Sequence, residues 1–383
     1  MLHPSAAAFA QNLTPMLDAS PHDSSEIDAV LMDDVPPVFN KGALCGKYRV
    51  VRLLAWGGMS QVFEAVHTEL RKHVALKVLS PVLRHDREAH MRFAAEAINA
   101  AGLVHTNILD VVDCGVINGL PYLVTNLLVG CDLATHLSRH GKLPPTELID
   151  VLLPVTKAIA FGHRRGIMHR DLKPENIFLH KEGSRTVPKV LDFGVSRMLG
   201  APRITANISV VGTPHYMAPE QARAEKSVGP AADQYAMGVI LYEGLTGHLP
   251  RNDAGAHALL YSVAYGSFPP PSRYVQIPAE LERIVLKAMA AEPSARFGSM
   301  DELAAALMPY ASETQARMAR RSGAILDKRY TGPMRADSQK ALPLAPASMQ
   351  ILDVPMLLSL LGARRALLLA LVAGLLTLVA SSR

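Results

Sequence analysis

Residues 169–176 read His169-Arg170-Asp171-Leu172-Lys173-Pro174-Glu175-Asn176, and Asp192-Phe193-Gly194 follows after a short interval. A carboxylate, a cation and an amide fall close together, with a second carboxylate not far behind. Moving a phosphoryl group from a nucleoside triphosphate calls for these types. A carboxylate orients the acceptor hydroxyl, a cation sits by the γ-phosphate, and oxygen ligands hold a hard divalent cation against the phosphates. His-Arg-Asp alone arises by chance; the whole run with a second metal-ligand motif at this distance does not.

Those groups must be held by the elements around them. Strand-like runs occur at 48–54, 61–66 and 73–79, and residues 87–101 have the charge and apolar spacing of a helix. Two more strands are predicted around 108–112 and 122–126. After Gly130 the pattern is mainly helical, most clearly at 148–164, 231–245 and 279–289. A β-rich part followed by an α-rich part leaves a cleft between them, where a concave ligand site is expected.

In chain order the sequence also carries Val74-Ala75-Leu76-Lys77, Glu96, and the segment Gly212-Thr213-Pro214-His215-Tyr216-Met217-Ala218-Pro219-Glu220-Gln221, with Asp233 and Arg296 beyond it. With the two acidic motifs, this series resembles the eukaryotic-like (Hanks-type) serine/threonine protein kinases, in particular their bacterial branch, over residues 48–308. Asp-Leu-Lys-Pro-Glu-Asn is the serine/threonine version of the loop, and Met217 to Gln221 with Gly57-Gly58-Met59 point to bacteria. The resemblance implies an α+β fold of two lobes, a small β-rich N-lobe and a larger α-helical C-lobe. It implies an ATP-dependent enzyme that phosphorylates Ser/Thr hydroxyls of proteins and its own activation loop, using magnesium, with manganese as an alternative.

The same resemblance implies roles. Lys77 contacts the α- and β-phosphates and pairs with Glu96. Asp171 orients the substrate hydroxyl, Lys173 neutralises the transferring phosphate, and Asn176 and Asp192 hold the metal. Thr213 meets Asp171 and Lys173 and shapes the acceptor site. Leu54, Val62, Ala75 and Phe178 wall the adenine, Thr125 is the gatekeeper, and Asn126 lies on the hinge. Asp132 reaches the ribose or else caps a helix. Glu220 and Arg296 form a buried ion pair, and Asp233 secures the catalytic loop. Thr205 and Ser209 are phosphosite candidates for Arg170, with Arg203 as a second cation, and a second copy of the chain is the partner for phosphorylation in trans. One departure stands out. In the loop Leu54-Ala55-Trp56-Gly57-Gly58-Met59-Ser60-Gln61-Val62, Ala55 and Ser60 replace two of the glycines that let backbone amides approach phosphate.

Composition bounds the rest. Of 383 residues, 49% are hydrophobic and the formal net charge is +5. Nucleic acid is excluded as a partner, because the basic residues are not interleaved with aromatics and only 5% of residues are aromatic. Three widely spaced cysteines read as reduced thiols, and no histidine spacing suggests a metal site. Residues 1–47 are acidic and read as disordered. Residues 309–355 form a basic linker, carrying Arg317, Arg320, Arg321, Lys328, Arg329, Arg335 and Lys340. Residues 356–383 end in an uncharged run at 366–380, about 22 Å long as a helix against a hydrocarbon core of ~30 Å. Arg364-Arg365 and the terminal Arg383 can snorkel to shorten the gap. The sequence therefore predicts a C-terminal transmembrane helix, single-pass in the cytoplasmic membrane, with the catalytic part in the cytoplasm. The alternative function is a weak or inactive pseudokinase acting as a membrane-tethered binding module. A small-molecule phosphotransferase fits less well, since such enzymes lack the Ala-Pro-Glu segment and the Asp-Leu-Lys-Pro loop.

Overall fold

The computed structural model describes residues 36–193, 214–225, 227–253 and 255–318. A six-stranded antiparallel sheet comes first, built from β1 (Leu44–Cys45), β2 (Tyr48–Trp56), β3 (Ser60–His67), β4 (His73–Leu79), β5 (Val111–Ile117) and β6 (Leu120–Asn126). Their order across the sheet is β1-β2-β3-β4-β6-β5. Period-two alternation sets its faces. Val74, Leu76 and Val78 bury with Phe63, Ala65, Tyr48 and Val124 on one side, while Ala75 and Lys77 stay half-buried on the other. Helix α1 (Arg87–Ala101) packs its Ala89, Phe93 and Ala97 against Leu79, Cys114 and Leu123. Asp86 caps it by accepting from the Ala89 amide at 3.0 Å, and Glu88 lies in its first turn, favourable to the helix dipole.

The second lobe holds α2 (Leu133–His140), α3 (Pro145–His163), α4 (Pro219–Ala222), α5 (Ala231–Thr246), α6 (Ala256–Tyr265), α7 (Ala279–Ala288) and α8 (Met300–Leu307), with a small sheet of β7 (Gly130–Asp132), β8 (Ile177–Glu182) and β9 (Arg185–Val190). α5 is buried nearly throughout and ends at Gly247, whose φ of 74° suits a glycine C-cap. The lobes are stitched at Val190, which bridges Ile108 and exchanges backbone bonds with Leu109 and Asn107.

Several expectations shift. The strand predicted at 108–112 is Val111–Ile117, because Ile108 is spent on the lobe junction. Gly115, a poor strand former, is tolerated since the Tyr122 hydroxyl lies 2.6 Å from where its Cβ would be. The β8–β9 hairpin was hidden within a stretch read as helical. Residues 36–47 belong to the folded part, not to a disordered segment ending at 47: Cys45 is fully buried, and Val38 and Phe39 pack on the core of the sheet. At the other end, the basic linker expected from 309 begins attached, with the Ser312 amide donating to Asp150 Oδ1 at 2.8 Å. Among the described residues no helix is long and apolar enough to cross a membrane. Residues 1–35 and the run 366–380 lie outside the described residues.

Candidate active site

Lys77 leaves the cleft face of β4, opposite Val62 of β3. Its Nζ donates to Glu96 Oε1 at 2.6 Å and to Asp192 Oδ1 at 2.9 Å. Glu96 is brought there by α1, Asp192 by the segment after β9. One cation thus sits between two carboxylates. Burial works against the ammonium, but Asp192 and Glu96 outweigh it and hold the Lys77 pKa up. Burial likewise opposes the Asp192 carboxylate, and Lys77 overcomes this to hold its pKa below the usual range. Glu96 is pushed up to about 8, by burial first and with the Asp192 charge adding to it.

The catalytic-loop residues are set from below by Asp233, on α5 and 2% exposed. Its Oδ2 accepts from the His169 amide at 2.8 Å and from His163 Nε2 at 2.7 Å, and its Oδ1 accepts from the Arg170 amide at 2.7 Å. Burial opposes this carboxylate too, and the bonds from His163 and the His169 amide outweigh it, so its pKa is lowered. The chain is drawn so tightly here that Arg170 takes φ 66°, and Asp192 has φ 50°. Two non-glycine residues in left-handed conformation beside one cleft is the kind of strain a surrounding network must maintain. The Arg170 carbonyl accepts from Gln221 Nε2 at 3.1 Å.

Asp171, its side chain 50% exposed, opens to the cleft 3.0 Å from Lys173 Nζ. Asn176 Nδ2 donates to the Asp171 carbonyl at 2.7 Å, which fixes the amide and leaves Oδ1 as the atom that could take a cation. Asn176 and Asp192 therefore supply the oxygen donors that a hard divalent cation takes. Phe193 is fixed against His169 (ring centroids 5.2 Å apart) and fills the space a Cβ on Gly162 would need, at 2.6 Å.

Around these, Thr125 on β6 is buried and paired with Ala75, and Phe178 on β8 is paired with Asp132. Asp132 is the N-cap of α2: Oδ1 accepts from the Thr135 amide at 2.7 Å and Oδ2 from its hydroxyl at 2.9 Å. Both oxygens are engaged, so the cap is its structural role. Leu54 and Ala55 end β2, Val62 starts the return on β3, and the Gly57 amide bonds the Ser60 carbonyl at 2.9 Å across the turn that holds Gly58. Ala55 and Ser60 have no positive φ. Ala55 pairs with Val62 and Ser60 with Leu79, as any L-residue could in extended strands. The two departures from glycine are unstrained here. Arg296 clasps Glu220 at 2.7 and 2.8 Å, fully buried, and also ties to the Ala231 and Ala290 carbonyls. Gly194, Arg203, Thr205, Ser209 and Thr213 lie outside the described residues. The bonds from His163 to Asp233 and from Gln221 to Arg170 were not anticipated; Gln221 was visible only as the last residue of a motif.

The sequence matches the protein kinase domain over residues 48–307. The chain belongs to the protein kinase family. Among its relatives, the serine/threonine-protein kinase Pkn1 of Myxococcus xanthus is 39% identical over 300 residues, covering 76% of this chain and 43% of that one. The serine/threonine-protein kinase PrkC of Bacillus subtilis is 32% identical over 302 residues, 79% of this chain and 45% of its own length. The chain thus spans less than half the length of these curated kinases. The crystal structure of the PknI kinase domain of Mycobacterium tuberculosis matches with a TM-score of 0.57 and 29% identity, covering 71% of this chain and 99% of that domain. The two-lobed kinase fold is common to both.

Proposed function

We propose that the chain is an ATP-dependent protein serine/threonine kinase. The observation that carries this is the Lys77–Glu96–Asp192 cluster, which joins an ammonium of the small lobe to a carboxylate of the large lobe at 2.9 Å. A lysine held charged above all by the Asp192 carboxylate, with Glu96 bonded beside it, is prepared for the α- and β-phosphates of ATP. Asn176 and Asp192 would hold magnesium, which when bound screens the phosphate charge and aligns the γ-phosphate. Asp171 accepts a hydrogen bond from the acceptor hydroxyl and points its oxygen at the phosphorus, and Lys173 stabilises charge as the bond to the leaving oxygen lengthens. Val62, Ala75, Thr125 and Phe178 exclude water on the adenine side. Magnesium- or manganese-dependent labelling of the full chain and of a generic basic protein from γ-labelled ATP tests this, with phosphoserine or phosphothreonine expected in the hydrolysate. No transfer with either metal would replace this reading by the pseudokinase one.

The finer parts of the reading are two. Thr205 or Ser209, phosphorylated by a second copy, would pair with Arg170; phosphosite mapping tests it, and full activity in a Thr205→Ala/Ser209→Ala variant would dismiss it. Residues 366–380 would anchor the chain in the cytoplasmic membrane, supported by their lack of charge and by the flanking arginines, which can make up for a short span. Full-length protein should then pellet with membranes and resist carbonate, and release by salt alone would mean a peripheral basic contact.

A further inference from the structure

Gln61 lies inside the glycine-rich loop, between Ser60 and the adenine-wall residue Val62, yet its side chain is fully buried. What covers it is the chain before the first strand. The Val38 amide donates to Gln61 Oε1 at 2.8 Å, and Gln61 Nε2 donates to the Pro36 carbonyl at 3.4 Å. The Phe39 ring meets Phe63, two residues further along β3, edge-on at 5.9 Å. Behind this the chain is fastened again, because Gly42 and Ala43 exchange backbone bonds with Val50 of β2 at 2.8 and 2.9 Å. Gln61 is the cross-strand partner of Trp56 at the loop tip and of Val78 on β4, while its neighbour Val62 is opposite Lys77. The two faces of β3 therefore have different tasks: Val62 looks to the cleft, and Gln61 is gripped from behind.

We propose that residues 36–39 are a strap that positions the nucleotide-binding loop through Gln61. Gln61 and the Val38 N–H are positioning groups for the triphosphate, acting through the loop and not by touching ATP. The inference rests on the reading of this cleft as an ATP site. A loop whose tip is exposed, with one backbone bond across its turn, depends for its place on what holds its base. A buried amide side chain also makes the grip specific, since losing one partner leaves the other unsatisfied.

The test is made on the full chain with the single tryptophan, Trp56, as a built-in reporter. Gln61→Ala removes both bonds, Val38→Pro removes the N–H together with the valine side chain, and Val38→Ala removes the side chain but keeps the N–H. The first two should each weaken ATP binding about fivefold and raise acrylamide quenching of Trp56, with kcat at saturating ATP within about twofold. The double variant should be no worse than either single one, and Val38→Ala should stay near wild type. Unchanged quenching and ATP affinity in both Gln61→Ala and Val38→Pro would overturn the proposal. So would a Val38→Ala as impaired as Val38→Pro, which would leave only packing. Quenching is read without nucleotide, so a wild type that fails to bind ATP sinks the ATP reading while the quenching still decides the strap.

Discussion

The two loops that face each other across the cleft are held in opposite ways. The catalytic loop of the large lobe rests on polar side chains: the buried Asp233 takes the backbone of His169 and Arg170, and Gln221 takes the Arg170 carbonyl. The glycine-rich loop of the small lobe has one backbone bond across its turn, and its Ala55, Trp56, Gly57 and Gly58 are exposed. The groups that must be in place at the moment of transfer are fixed by charge-assisted bonds in low dielectric, where each is strong and costly to lose. On the kinase reading, the part that would admit and release a nucleotide is held only at its base, through Gln61. Strain follows the same division, since both left-handed residues of the site, Arg170 and Asp192, belong to the large lobe.

The largest effect should come from the rigid side. Asp171→Asn should lower phosphoryl transfer about 10³-fold while ATP affinity changes by less than about twofold, measured by single-turnover labelling beside calorimetry. A comparable loss in ATP affinity would mean that Asp171 also shapes the nucleotide site. Lys77→Met, which removes the ion pair to Asp192 across the lobes, should reduce transfer by about 10²-fold or more through misplaced phosphates. Retained transfer would show that the lobes are joined productively without it.

Stability should divide in the same way. Arg296→Met leaves the Glu220 carboxylate buried and alone, and should cost about 3–5 kcal/mol in urea unfolding. Adding Glu220→Leu should restore much of that, and if it does not, the pair's bonds to the Ala231 and Ala290 carbonyls are what matter. A smaller, pH-dependent effect belongs to His105. Its Nδ1 accepts from the Asn107 amide at 3.1 Å, so it folds neutral, and its pKa is lowered to about 4 by burial first, then by nearby cations such as Lys189. The unfolded chain therefore binds the extra proton, and stability is lost as pH falls from about 6.5 towards 4, on the order of 2 kcal/mol from this group. His105→Asn should flatten the Tm profile across that window.

The smallest effect is expected at the soft loop. Ala55→Gly with Ser60→Gly should change the ATP dissociation constant by less than about twofold, because both residues already sit in unstrained extended backbone. Tighter binding by tenfold would mean that the loop must leave this conformation to hold the phosphates. The glycine departures, unstrained in this backbone, are therefore weak support for an inactive kinase.

The site was legible where chemistry is local. Asp171, Lys173 and Asn176 sit on one short loop whose spacing carries its meaning, and helix 87–101 was bounded correctly because Asp86, the apolar period and Gly102 all agree. The Lys77–Glu96 pair was readable through family resemblance, with nothing in either neighbourhood requiring it. Other features were illegible because they depend on partners distant along the chain. Ile108 went to the lobe junction with Val190, and Gln221 to the Arg170 carbonyl. Neither the left-handed turn at Arg170 nor the grip of Val38 on Gln61 leaves any mark in residue types, since a backbone amide looks alike at every position. Type and spacing determine which groups are available for phosphoryl transfer; their charge states, their strain and the support behind each loop arise only when burial removes water and leaves other parts of the chain as the partners.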